Sequence, residues 1–101
     1  MEEKNNHYVY ILKCKDETLY TGYTTDIKRR LKMHEQGKGA KYTRGRAPFQ
    51  LQYQQPCKTK SEALQLEAKI KKLTRKQKEL WIEENQTERY GVYADTEELP
   101  N

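Results

Sequence analysis

Two short runs of strand-forming residues, joined by a brief polar stretch, constrain this chain more than any other feature. His7-Tyr8-Val9-Tyr10-Ile11-Leu12-Lys13-Cys14 is rich in β-branched and aromatic residues, which suit a pleated surface and predict a strand. Lys15-Asp16-Glu17-Thr18 is a polar turn, and Leu19-Tyr20-Thr21-Gly22-Tyr23 reads as a second strand. So short a connection implies an antiparallel hairpin. Gly22, inside the second run, marks a bulge or a close backbone approach.

Helix signals follow. The pattern predicts a helix from Thr24–Asp26, with Asp26 or Thr25 as N-cap, to about Gln36, with Gly37 as its stop. A basic, glycine-containing loop then runs from Gly37 to Pro48. Phe49-Gln50-Leu51-Gln52-Tyr53-Gln54 alternates apolar and polar as a third strand would, and Pro56 is expected to end it. Thr59-Lys60-Ser61-Glu62 has capping-box spacing and predicts a helix to about Lys72. Thr74-Arg75-Lys76-Gln77 repeats that spacing and predicts a third helix to about Glu84. The order ββαβαα is that of an α+β fold, a small three-stranded antiparallel sheet flanked by helices. Its 101 residues suffice for one domain. That domain is expected over residues 1–88, with an acidic tail over 89–101.

Composition narrows the function. Residues 28–46 carry eight bases and one acid, and residues 58–78 carry eight bases and two acids. Residues 79–101 carry seven acids and one base, so the net charge of +5 conceals two strongly basic central blocks. A polyanion partner is one reading of these blocks, and solvated lysine-rich helix faces are the other. No apolar run approaches the length that spans a bilayer, and the polar start lacks a signal-peptide core, so a cytoplasmic protein is expected. Cys14 and Cys57 have no metal-ligand spacing and are read as free thiols.

Two helices break their own pattern. The stripe through Ile27 continues at Arg30, Leu31 and His34, and the stripe through Ala63 continues at Leu66, Glu67 and Ile70. Arg30, His34 and Glu67 are costly to bury without partners, which suggests a polar site against the sheet. Two structural arrangements stay open: a buried Arg30–Glu67 ion pair, or edge positions with Glu67 paired to Lys71. On the hairpin, Tyr8 and Tyr10 share a face. A phenol can act as a base or hydrogen-bond donor when a cation lowers its pKa, and an inward Arg30 would be such a cation.

Tyr8-Val9-Tyr10 followed by Leu19-Tyr20-Thr21-Gly22 resembles the paired motif of the GIY-YIG nuclease superfamily. Arg30 in the next helix and Glu67 within Glu62-Ala63-Leu64-Gln65-Leu66-Glu67-Ala68-Lys69-Ile70 extend the resemblance in order and spacing. More narrowly, Leu19–Thr24 and Gly37-Lys38-Gly39-Ala40-Lys41-Tyr42-Thr43 look like the short stand-alone bacterial members of the YazA/YhbQ kind.

The resemblance implies a GIY-YIG fold and a metal-dependent endonuclease acting on nucleic acid, DNA more than RNA. It implies Tyr10 as the base and Tyr20 as the residue that positions phosphate or water. Arg30 would be the phosphate clamp, His34 a group assisting the base, and Glu67 the ligand of one Mg²⁺ or Mn²⁺ ion. Lys38, Lys41, Arg44 and Arg46 on the loop would grip backbone phosphates, with Tyr42 available for stacking. Three positions depart from the family pattern: Tyr8 stands for glycine, Thr21 for isoleucine, and Glu79 for an asparagine that many members carry. A nucleic-acid-binding module with little or no catalysis is the alternative, and a protein-interaction domain using the acidic tail is a weaker third. A monomer is the default expectation.

Overall fold

The computed structural model describes residues 6–89, and side chains as far as residue 85. The strands are β1 (His7–Lys13), β2 (Leu19–Thr24) and β3 (Gln50–Cys57), and the helices are α1 (Ile27–Glu35), α2 (Lys60–Lys71) and α3 (Arg75–Arg89). They form a three-stranded antiparallel sheet in the order β2-β1-β3, an α+β fold as expected.

The hairpin turn closes with Glu17 N–H donating to the Cys14 carbonyl at 2.9 Å and Cys14 N–H donating to Thr18 O at 2.8 Å. Asp26 caps α1 by accepting from the Arg29 N–H at 3.1 Å. At the other end Gly37 takes a positive φ of 78°. There the Gly37 N–H reaches His34 O and the Lys38 N–H reaches Met33 O, which ends the helix in a Schellman turn. α2 and α3 both start at the expected threonines, but only the second box is reciprocal, because the Glu62 carboxylate accepts from Lys58 N–H, one residue before the cap. Thr59 accepts from Glu62 N–H, and Thr74 and Gln77 exchange bonds reciprocally at 3.1 and 2.9 Å.

Three expectations change. Pro56 does not end β3 but lies within it, opposite Tyr8. Proline is tolerated there because β3 is an edge strand, where a missing N–H breaks no interior ladder. α3 runs past Glu84 to Arg89. The long basic loop contains a 3-10 turn, Lys41–Thr43. Of the expected tail, Arg89 is the last residue of α3, and residues 90–101 lie outside the described residues.

Central strand β1 is covered on both faces. Val9 and Ile11 join Tyr53, Cys57, Ala63, Ile70 and Ile82 in one apolar core, with Leu19, Tyr23, Leu66, Leu73 and Trp81 packed around it. α2 crosses all three strands on that side, and α3 packs on β3. Strand alternation sends Tyr10 to the opposite face, where it meets His34 from α1. Cys14 and Cys57 are buried, free thiols. No helix among the described residues is long and apolar enough to cross a membrane.

Candidate active site

Tyr10 lies directly across the ladder from Gly22. A Cβ at Gly22 would stand 2.5 Å from the Tyr10 hydroxyl, 2.6 Å from Cζ and 2.9 Å from Tyr20 Cε2. Only a residue without a side chain lets both rings rest over β2 at this point. Gly22 therefore marks a close approach, one of the two meanings read from the sequence.

The Tyr10 hydroxyl is 2.9 Å from His34 Nε2. His34 is 1% exposed, the most buried polar side chain on α1. Its other ring nitrogen, Nδ1, lies 2.8 Å from the Thr43 hydroxyl, which in turn donates to the Ala40 carbonyl at 2.8 Å. The loop backbone presses on the imidazole. A Cβ at Gly39 would fall 2.3 Å from His34 Nδ1. Rings surround the pair: His34 lies 5.4 Å from Tyr20 and 5.7 Å from Phe49, and Tyr10 lies 6.3 Å from Tyr20.

Arg30 is half-buried, and its Nε is buried with no hydrogen-bond partner among the described residues. Its charge reaches both members of the pair. Burial pushes the Tyr10 phenol up to about 12, against a pull from Arg30, while the charges of Tyr20 and Glu67 add to the rise. Burial, and after it the Arg30 charge, push the His34 imidazole down to about 4. At neutral pH the pair therefore consists of a phenol and an uncharged imidazole. The effect of Glu67 on Tyr10 places that carboxylate within electrostatic reach of the cluster, although it comes from α2.

Glu67 keeps only 17% of its side chain exposed, and its Oε2 lies 3.1 Å from Lys71 Nζ. This is the i, i+4 pairing that helix phase left open. Among the described residues no three His, Cys, Asp or Glu side chains gather into a metal-binding group. A lone carboxylate does not suit zinc, which wants several nitrogen or sulfur donors. It fits Mg²⁺, which keeps waters and completes its shell from substrate phosphate.

The loop residues divide. Lys38, Lys41 and Arg44 are exposed. Tyr42 is 45% exposed, but its ring already stacks on Tyr20 at 5.9 Å, and the Arg46 guanidinium lies 4.5 Å from its centroid. Arg46 also donates from Nε to the Tyr42 carbonyl at 2.6 Å and pairs with Asp16 in the hairpin turn. Lys15 N–H donates to Arg46 O at 2.8 Å, so backbone and side chain both tie the loop to that turn. The Thr18 hydroxyl, donating to Asp16 at 2.6 Å, leads the effects that hold this carboxyl below its usual pKa. Glu79 pairs with Arg75 at 2.9 Å and lines a separate cleft with Lys13, Leu19 and Gln52. Tyr8 shares the Tyr10 face by alternation and pairs with Thr24 and Pro56.

In the sequence Thr43 and Gly39 figure only within the Gly37–Thr43 run, and Phe49 and the Asp16–Arg46 pair carry no sign of a place beside the site. The loop glycine and threonine carried no periodic signal, because their partners are set by where the loop lands on α1.

A model of the GIY-YIG catalytic domain matches residues 6–80 of the chain. The UPF0213 protein YazA of Bacillus subtilis (strain 168) is 52% identical over 92 residues, spanning 91% of this chain and 93% of its own. The solution NMR structure of the UPF0213 protein BH0048 from Bacillus halodurans is similar at 48% identity and TM-score 0.56, covering 94% of this chain and 97% of that one. The solution NMR structure of EF2693 from E. faecalis is similar at 46% identity and TM-score 0.59, covering 85% and 92%. With Tyr10, Tyr20 and His34 in mutual contact on one face of the sheet and relatives matched over nearly their whole length, the chain belongs to the GIY-YIG catalytic domain family, among its UPF0213 members.

Proposed function

We propose that this protein is a metal-dependent endonuclease that hydrolyses nucleic-acid phosphodiesters, DNA in preference to RNA. The observation that carries this reading is the Tyr10 hydroxyl held 2.9 Å from an uncharged His34, within the influence of Arg30 and Glu67. A water attacking phosphorus gives its proton to Tyr10 as the phenolic proton moves to His34 Nε2. Arg30, half-buried with its charge felt by Tyr10 and His34, meets the phosphoryl oxygens through its terminal guanidinium nitrogens and stabilises their growing charge. Tyr20, packed between Tyr10, His34 and Tyr42, positions the phosphate or water. Glu67 would hold one Mg²⁺ or Mn²⁺ ion, which when bound supplies charge neutralisation at the phosphate and leaving oxygen. Exposed Lys38, Lys41 and Arg44 extend a basic surface for the flanking backbone. Tyr42 and Arg46 border that surface from the positions where their mutual contact holds them.

The test is cleavage of supercoiled, branched and single-stranded DNA, and of RNA, with Mg²⁺ and with Mn²⁺. Wild type is expected to cut. Tyr10→Phe and Glu67→Ala are expected to lose at least about 100-fold in rate with folding intact. Absence of cleavage on every substrate with both metals would overturn the enzymatic reading. One observation favours the alternative of a weakly catalytic binding module: the phenol of the free protein, pushed up to about 12, is fully protonated at neutral pH. That alternative is distinguished by salt-sensitive binding without turnover.

A further inference from the structure

We propose that Thr43 is a positioning residue that fixes His34 as its Nδ1–H tautomer, leaving Nε2 bare to receive the Tyr10 proton. The inference rests on the nuclease reading for its catalytic consequence, but the tautomer itself is a property of the free protein.

The hydrogen bonds from Ala40 through Thr43, His34 and Tyr10 form a chain whose two ends differ. At one end stands the Ala40 carbonyl, which can only accept. The Thr43 hydroxyl lies 2.8 Å from it and donates its one hydrogen there. Toward His34 Nδ1, also at 2.8 Å, the same oxygen can then only accept. Nδ1 must therefore carry the hydrogen, and in an uncharged imidazole Nε2 has the free lone pair. Tyr10 donates into that lone pair across 2.9 Å.

At the other end stands Arg30, a donor with no acceptor capacity, close enough to the Tyr10 oxygen to favour its anion. In the reversed chain Nε2–H would point at the Tyr10 oxygen. That oxygen would face two donors, and its own hydrogen would lose the acceptor it has in His34. An acceptor at one end and a donor at the other thus select one direction. Both linking groups are deeply buried, Thr43 and His34 at 1% exposure each. Gly39 brings the loop backbone against the Nδ1 edge, so the protein supplies the partner at this nitrogen.

The selected direction has a chemical consequence. When Nε2 gains the Tyr10 proton, the imidazolium still donates from Nδ1 to Thr43, which still donates to Ala40. No hydroxyl needs to rotate during the transfer. In the other tautomer Nε2 already holds a hydrogen and cannot accept the phenolic proton.

Two-bond ¹H–¹⁵N correlation spectra of the full chain at pH 7 test this without any substrate. Wild type is expected to show a protonated Nδ1 and a pyridine-like Nε2 on His34. Tyr10→Phe should keep that pattern, because Thr43 remains. Thr43→Val should shift the ring toward Nε2–H, and Thr43→Ser should restore it. An Nε2–H ring in wild type overturns the proposal, as does an unchanged Nδ1–H ring in Thr43→Val. If Thr43→Val does not fold, Tyr10→Phe decides: loss of the Nδ1–H form there would assign the tautomer to Tyr10 instead. In cleavage assays Thr43→Val should lower kcat about 10- to 100-fold with KM little changed, and Thr43→Ser should recover most of it. A protein that cuts nothing but shows the Nδ1–H pattern would sink the nuclease reading and leave this one standing. The reverse result would do the opposite.

Discussion

The two faces of β1 are equally dry and differently built. On one, Val9 and Ile11 are fully buried among aliphatic and aromatic side chains from α2, α3 and β3. On the other, Tyr10, His34 and Thr43 are each 1% exposed, yet they are joined by hydrogen bonds of 2.8 to 2.9 Å. Burial therefore does not separate core from site in this domain. What separates them is the way polar atoms are satisfied, and the energetic terms follow. Apolar contacts are numerous and forgiving of small shifts in any one of them, whereas each link of a buried polar chain is single and costly to break.

The sharpest contrast comes from removing one residue on each side. Ile70→Ala, at a fully buried position against the core, should destabilise the fold by about 2–5 kcal/mol in urea or guanidinium titration. It should leave the His34 spectrum unchanged. A disturbed His34 ring would show that the two faces are not independent.

Acid should act on the polar face through His34. The His34 imidazole is pushed down to about 4 in the folded protein and has its ordinary value of 6.5 when exposed. Between those values the unfolded chain takes up the proton and the folded one does not. Stability should thus fall as pH drops from about 6.5 toward 4, by at most about 3 kcal/mol from this group. Unfolding midpoints measured across that window on wild type and His34→Gln isolate the contribution. A wild-type stability that rises on acidification, relative to the variant, would contradict the buried neutral ring.

Gly22→Ala should disturb the polar face at its base. The added methyl cannot coexist with a hydroxyl oxygen 2.5 Å away, so the Tyr10 ring must move off β2. A loss of about 1–3 kcal/mol is expected, together with a lost Tyr10–His34 hydrogen bond in the His34 spectrum. An intact bond would mean that β2 gives way instead of the ring.

The smallest effect runs the other way. Thr21 shares the alternation of Leu19 and Tyr23, which pack on the apolar core, and its buried hydroxyl finds no partner among the described residues. Thr21→Val keeps the shape and removes the orphan, so a gain of about 1 kcal/mol is expected in the same titrations. A loss would reveal a partner for that hydroxyl and blur the line between the faces.

These contrasts also explain what was legible in the sequence. The hairpin, the helix starts and the apolar stripe of α2 depend on neighbours within a few residues and are present in the fold, whereas Ile27 and Leu31 of α1 stay outside the apolar core. Arg30, His34 and Glu67 stood out because each interrupts a periodic stripe. Pro56 misled because a proline's meaning depends on whether its strand is at an edge, and strand order is a long-range property. Thr43 and Gly39 carry no individual signal within the Gly37–Thr43 run for a similar reason. Each matters through one contact with His34, nine and five residues away along an irregular loop. Glu79 departs from the family pattern, yet its carboxylate is engaged by Arg75 on α3.

The Asp16–Arg46 clasp bears on how the protein would meet a polyanion. Of the four cations on the loop, Lys38, Lys41, Arg44 and Arg46, the last brings its own internal counterion from the hairpin turn. A phosphate reaching Arg46 would displace a carboxylate, not a mobile salt ion. That contact would be an exchange of partners, adding little to the entropy released into solution. The loop's share of the salt dependence should then correspond to about three phosphates, each contributing a slope of about −0.9 on duplex DNA. Neutralising Asp16 would add a cation to that count while loosening the strap that carries Tyr42 and Thr43.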